Sequence, residues 1–477
     1  MCGPVMIAVS WMLLLGQPVA GGGRNNLEIR QRRSQEAFKE FRDISEALGK
    51  GAERRVVSGQ FLDLATRYSE TDHGREAREL GTLLQKMAEE DEQFHAPKDA
   101  GALSQQQQIT LCIHRLRDVA ATDLSVPGSI KVLWNSHDPN NPAVALRKIG
   151  KPAVPALIEL LADRRPTRSV GNPRNGNYVL RYNDAALQIL QSLTGQRFTE
   201  LPGRGRYLSN YPDATQEQVR LEIHRWWEAN KDKDEAQWLR ESLSQSGVGA
   251  MQHTLDLAER LVELEGSRSV DFLRERLRAE PNNSFVVSLL WKAGGKDVVE
   301  DIRPKIHNEN VQVRAAAYEA LLSAGETSLV DVVVADFAKV IKNPDRERWD
   351  HEPLIYVLAK ADSEKAILVA ARLTRHPDPR VARSALVAFE GILETAHKPA
   401  PHLRRIVVPY MVAAALDAKE SGGFAVLWLI KGGYIDVSQV RGDQDSAVSR
   451  IRTWWQAHSQ EYPKTQEWDP SWLDPDR

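Results

Sequence analysis

The sequence predicts an all-α chain, an alpha-alpha superhelix (solenoid) of short helical hairpins. Three observations lead there. Apolar residues recur at helical period through most of the 477 residues. Glycine and proline fall where helices would end or begin, not between alternating strand-like runs. Blocks of roughly 30–40 residues also echo one another, as they do in repeat architectures.

The clearest block runs from His307 to Ile341, HNENVQVRAAAYEALLSAGETSLVDVVVADFAKVI. Val313, Ala317, Ala320, Leu321 and Ala324 lie on one helix face. Gly325 suits a left-handed helix end, and Thr327 or Ser328 a new helix start. Leu329, Val333, Phe337 and Val340 form the second stripe. Val330 to Val334 is valine-rich enough for a strand, but the period and length of the segment favour helix. Neither helix can cover its stripe alone, so hairpins must stack.

At the start of the chain, residues 1–20 read MCGPVMIAVSWMLLLGQPVA. The apolar core from Val5 to Leu15 is too short to span a bilayer, and small residues follow it. The stretch reads as a cleaved signal peptide, with an uncleaved anchor as the alternative. An exported protein, periplasmic or secreted, with no stable membrane span after cleavage, is expected. Residues 21–55 read as a joint over Gly21–Asn26 and then a charged helix containing Arg30, Arg32 and Arg33.

Residues 56–133 read as helical. FLDLATRYSETDHGREARELGTLLQKM alternates helix, polar turn and helix, with Phe61, Leu64, Ala65, Tyr68, Ala77 and Leu80 as its packing positions. The run Glu89, Glu90, Asp91 and Glu92 reads as a solvated helix terminus. Gln105 opens a further helix that runs through Ala120.

Residues 134–246 form the first array. Asn141 can cap a helix that Pro142 opens and Gly150 closes, and KPAVPALIELLA follows as its partner. Asp163 to Tyr182, DRRPTRSVGNPRNGNYVLRY, is a long irregular insertion rich in arginine. Long loops between repeat helices often carry function. A helix from Tyr182 to Gly195 comes next, and another ends in IHRWWEAN. That ending returns near the C-terminus as IRTWWQAH, so Ile223, Trp226 and Trp227 are echoed by Ile451, Trp454 and Trp455. Each copy is followed by another tryptophan, Trp238 or Trp468. We expect these helices to cap two arrays, because a solenoid must hide its last apolar face.

Residues 250–477 form the second array, about six hairpins by this reading. Leu290, Leu321, Leu358 and Phe389 hold the same late position in successive first helices. Val381, Ala385, Ala388 and Phe389 reproduce the spacing of Val313, Ala317, Ala320 and Leu321. VLWLIKGG, ending at Gly433, echoes LLWKAGG, ending at Gly295.

The string ALRKIGKPAVPALIELLAD closely resembles HEAT-like repeats of the phycobilisome-lyase type. The segment around Phe61 resembles a tetratricopeptide hairpin. The first resemblance implies a repeat fold found mostly in non-enzymes. The family often places an arginine where Arg314 stands and bonds it to an acid in the next repeat. The copy at Val381 has Ala382 there and Arg383 one place on, so no continuous ladder is expected.

For chemistry, the residues offer little. There is no GxSxG, P-loop, GxGxxG after a strand, or HExxH. His224 and Glu228 lie one turn apart, as surface helix pairs commonly do. With one cysteine left after signal removal, Cys112, no intramolecular disulfide forms and no zinc spacing exists. Asp443 and Asp445 lack the rest of a calcium loop. Arg441-Gly442-Asp443 reads as a chance tripeptide. Asn282-Asn283-Ser284 matches a glycan acceptor and falls in a predicted turn. No cofactor or metal is expected. The 63 basic and 65 acidic residues give a net charge of −2, so no field points to nucleic acid.

Arg164, Arg165 and Arg168 form the candidate binding patch, since forked guanidinium donors suit a carboxylate or phosphate. The alternative is that they pair with nearby acids such as Asp163 and Asp184. The function expected is a non-catalytic scaffold whose partner is another protein. The rival readings are an enzyme or enzyme subunit of the cofactor-lyase type, and a small-ligand or polysaccharide binder using tryptophan and arginine patches.

Overall fold

A computed structural model describes residues 22–465 apart from 96, 98–102, 121–131, 134–139, 172–177, 199–206, 247–251, 344–349, 395–400, 418–421 and 435–443. The signal segment 1–20, the Arg441–Asp443 tripeptide and Trp468 therefore lie outside the described residues. Among the described residues the chain is all-α apart from one two-stranded sheet, and it divides into two compact units, Met1–Trp238 and Leu239–Arg477.

Unit 1 begins with α1 (Gly22–Gly49), so the expected joint over Gly21–Asn26 is corrected: residues 22–26 already belong to the helix. α2 (Arg54–Arg67) and α3 (Asp72–Gln93) form a close antiparallel pair on which α1 packs. Thr71 caps α3 by accepting from the Gly74 N–H. The close approach requires Gly81, where a Cβ would stand 2.8 Å from Leu62 Cγ. Phe61, Leu64, Ala65, Ala77 and Leu80 are all buried here, with Tyr68 half-covered.

α4 (Gln105–Arg115) opens on a capping box of Ser104 and Gln107 and tightens into a 3-10 turn, Leu116–Asp118. Asn141 caps α5 (Pro142–Ile149), and Gly150, at φ 77°, turns the chain toward α6 (Val154–Leu160). α7 (Tyr182–Thr194) ends on left-handed Gly195, and α8 (Asp213–Asn230) follows. The unit boundary falls inside α9 (Glu235–Ser246), after Trp238.

The insertion Asp163–Tyr182 is not irregular throughout. β1 (Pro166–Val170) and β2 (Val179–Arg181) pair antiparallel, with Pro166 opposite Arg181 and Val170 opposite Val179. Alternation of side chains along a strand sends neighbours to opposite faces. Val179 accordingly joins the apolar cluster of α1–α3, while Leu180 joins that of α4–α8. Two separate clusters are thus pinned by two consecutive buried residues.

Unit 2 continues with α10 (Gln252–Glu265), α11 (Val270–Ala279), α12 (Ser284–Gly294), α13 (Val299–Ile302), α14 (Val311–Ser323), α15 (Leu329–Lys342), α16 (Glu352–Lys360), α17 (Glu364–Leu373), α18 (Pro379–Glu394), α19 (Pro401–Leu416), α20 (Gly422–Lys431) and α21 (Gln444–His458). The helices pack in two rows. α10, α12, α14, α16, α18 and α20 follow one another in the first, and α15, α17, α19 and α21 in the second. One apolar cluster runs unbroken from Val311 to Ile451.

Leu290, Leu321, Leu358 and Phe389 are all buried, on α12, α14, α16 and α18. Gly325, at φ 104°, lets the Glu326 N–H reach back to the Leu321 carbonyl, closing α14. Gly266, Gly295 and Gly433 follow α10, α12 and α20 with the same positive φ. The valine-rich segment is helical. Its buried stripe is Val330, Val333, Val334, Phe337 and Ala338; of the expected stripe Val333 and Phe337 are buried, while Leu329 and Val340 are half-buried. The difference arises because α15 meets both α14 and α16, and a helix between two neighbours buries a wider arc.

Candidate functional site

The arginine hairpin is positioned by its own strand pairing and by two polar anchors. Thr167 Oγ1 donates to the Leu180 carbonyl (3.1 Å), and Ser169 Oγ donates to that of Val119 (2.8 Å). On this frame Arg164, Arg165 and Arg168 each face acids of the same unit. Arg164 meets Glu79 (2.8 Å) and Asp213 (3.1 Å). Arg165 forks onto Asp163 (2.6 Å), reaches Glu90 (2.9 Å) and lies 4.8 Å from the centre of the Tyr182 ring. Arg168 donates to the carbonyls of Leu48 (3.0 Å) and Ala52 (2.9 Å), and meets Asp118 at 3.4 Å.

Two arginines that the sequence reading passed over complete the arrangement. The Arg117 side chain is only 1% exposed; it meets Glu90 at 2.7 Å, pairs with Asp91 and donates to the carbonyls of Met87 and His114. Arg54 joins Asp91 to Asp118 and donates to the Arg117 carbonyl (3.0 Å). The acidic run ending α3 is therefore not simply solvated. Carboxylates at a helix C-terminus are electrostatically disfavoured alone, and here cationic forks from α2, the 3-10 turn and the hairpin compensate them. No signal in the sequence pairs residues so far apart.

The electrostatics follow from this geometry. Burial pushes the Glu90 and Asp91 carboxyls upward, but Arg117, with Arg165 at Glu90 and Arg54 at Asp91, outweighs it and holds both below their usual range. Asp184 does not meet the arginine side chains as expected. It accepts from Tyr178 Oη, from Ser209 through both N–H (2.9 Å) and Oγ (2.9 Å), and from the Arg181 N–H (2.9 Å). Its complete burial raises its pKa despite those bonds. The cluster caps α7 and ties down the turn at Leu208–Asn210. An external anion at the hairpin would have to displace Asp163, Glu90 and Asp118 in turn. Beside Glu79 there is a shallow open depression of ≈ 410 Å³, lined also by Ser69, Arg75, Arg78, Thr82 and Leu83.

The tryptophan helices are the second place to look. In unit 1, Ile223 is fully buried, and Trp226 and Trp227 set their rings edge-on to Trp238, at 5.2 and 6.0 Å between centroids. Trp238 is buried and donates Nε1–H to the Asn230 carbonyl (3.0 Å). In unit 2, Ile451 is fully buried, and Trp454 and Trp455 gather with Tyr462 at 5.6–6.0 Å. Tyr434 bridges Trp454 to buried Trp428. All four paired tryptophans are half-buried and packed against their unit's core.

Elsewhere the expected residues stay apart. His224 and Glu228 are both exposed on α8, and Glu228 pairs with Lys231 (2.6 Å). Among the described residues no group of three or more His, Cys, Asp or Glu is placed to hold a metal. Cys112 is half-buried against the unit 1 core, and burial raises its thiol pKa. Arg314 bonds Asp336 (2.7 and 3.0 Å) within its own hairpin. Among the described residues no helix is long and apolar enough to cross a membrane. No protein-family model matches the chain, and no curated protein matches it.

Proposed function

We propose that the protein is a non-catalytic HEAT-like repeat scaffold that engages another protein outside the cytoplasm. The two-row stack of unit 2 carries this reading. Each helix there buries its flanks against the next helix of its row, so outward faces accumulate side by side instead of closing over a pocket. Such a surface recognises a partner by shape and distributed polar contacts, with a few anchors supplying most of the energy. Asp331 and Lys339 on α15, and Glu364 and Lys365 on its row neighbour α17, are exposed. The half-buried tryptophan pairs support the capping role.

Affinity capture from the native exported fraction, followed by hydrogen-exchange footprinting of the complex, tests the proposal. A stoichiometric protein partner that protects α15 and α17 together supports it. A small molecule as sole co-purifying species, or protection confined to the tryptophan clusters, overturns it.

A further inference from the structure

We infer that Asn282 is an N-glycan acceptor, a modification site on the turn between α11 and α12. The inference rests on the export proposed above. Asn282 is the only asparagine in the sequence with serine or threonine two places on. The structure separates it from its neighbour. Asn283 is engaged by the fold: its Oδ1 accepts from the N–H groups of Phe285 (3.1 Å) and Val286 (3.4 Å), and its Nδ2 donates to Glu280 (2.7 Å). It caps α12 and cannot be altered without loss of that cap.

Asn282 has no such duty. It is exposed, and its Oδ1 accepts one bond, from Asn308 Nδ2 at 2.9 Å. Its own Nδ2, the atom a glycan attaches to, has no acceptor among the described residues. The Ser284 hydroxyl at the second required position is likewise unengaged among them. Asn308 thus fixes the carboxamide by its oxygen and leaves the nitrogen toward solvent. A glycan on that nitrogen is compatible with the existing bond to the oxygen.

The transfer is a substitution at a sugar's anomeric carbon. Asn282 Nδ2 forms the C–N bond to a lipid-diphosphate-linked oligosaccharide, the C–O bond to the diphosphate breaks, and the lipid diphosphate leaves with the electron pair. The nitrogen's proton passes to a base on the transferase. Nothing is oxidised or reduced.

The test expresses the full chain in a eukaryotic secretory host, once with its own leader and once with residues 1–20 replaced by a cleavable secretion leader. The replaced-leader protein should carry one discrete mass increment, removed by an N-glycan-specific amidase and absent from both Asn282→Gln and Ser284→Ala. Secreted but unmodified wild type overturns the inference, and so does an increment that survives Asn282→Gln. Failure of the native leader alone counts against export, while the replaced-leader sample still judges the acceptor.

Discussion

Unit 1 and unit 2 use similar helices and join them by different physics. In unit 1 two apolar clusters are separate, and between them stand a β-hairpin and a group of arginines and acids: Arg54, Arg117, Arg165 and Arg168 against Glu90, Asp91, Asp118 and Asp163. In unit 2 a single apolar cluster joins α14 to α21; exposed ion pairs such as Lys365–Asp331 link its helices, and Arg314–Asp336 is half-buried beside it. The difference teaches where each unit is vulnerable. Apolar stacking fails when volume is removed. A compensated charge group fails when one partner is removed, because the remaining charges keep their burial and lose their counter-ions.

The largest expected effect tests the apolar side. Phe337 is fully buried between neighbouring helices, so Phe337→Ala should destabilise unit 2 by about 3–5 kcal/mol. Denaturant unfolding followed by hydrogen exchange should show α14–α17 opening first. A loss under about 1 kcal/mol would mean that the row packing is not what holds unit 2.

Next in size is the charge group. Arg117→Ala should destabilise unit 1 by about 2–3 kcal/mol, below the 3–5 kcal/mol typical of fully buried pairs, because Glu90 and Asp91 retain access to water. Replacing Arg164, Arg165 and Arg168 together should also loosen unit 1, so lost partner binding in that variant would not by itself locate a binding site. Chemical denaturation of the two variants, compared with Phe337→Ala, separates the two modes of joining.

The paired tryptophans give a smaller, local effect. Trp454→Ser with Trp455→Ser should fray α21 at about 2 kcal/mol, with faster proteolysis near Ser459–Tyr462. Trp226→Ser with Trp227→Ser should do less, since buried Trp238 remains on its core. Equal protease resistance of mutant and wild type at the C-terminal helix would remove the capping role.

The smallest effects come from pH, and they fall on unit 1. His73 packs edge-on against Phe38, and burial lowers its pKa from the ordinary 6.5. The unfolded chain therefore protonates first, and stability is lost as pH falls below 6.5 toward the depressed folded value. Glu90 and Asp91 are depressed from 4.5 and 3.8, so their contribution is present above those values and lost as pH falls through the folded ones. Asp184, raised by burial, pulls the other way. Unit 1 melting should thus weaken in two acid steps. Burial lowers His114 in the same way, so His73→Phe with His114→Phe should flatten the upper step and Arg117→Ala the lower; an unchanged profile in both variants would refute the assignment.

Much of this architecture is legible in the residues because it is local. Helix ends at Asn141, Gly150, Gly195 and Gly325 follow from what a side-chain oxygen or a missing Cβ permits within one turn. The burial of Leu290, Leu321, Leu358 and Phe389 follows from their shared place in a periodic pattern. The repeated Ile-x-x-Trp-Trp likewise appears on two half-buried helices. The candidate patch was legible only as composition: the arginines are there, but their partners are not written beside them.

By itself the sequence determined many helix positions, the ends at Asn141, Gly150, Gly195 and Gly325, and most of the faces to be buried, since period and turn chemistry act over a few residues. Tertiary structure alone decided that Val179 and Leu180 serve two cores, and that Arg117 compensates acids on α3. It also decided that Asn282 Oδ1 meets the Asn308 side chain, 26 residues further on. Each of these depends on groups brought together from distant parts of the chain, and local period carries no information about which distant partner will be there.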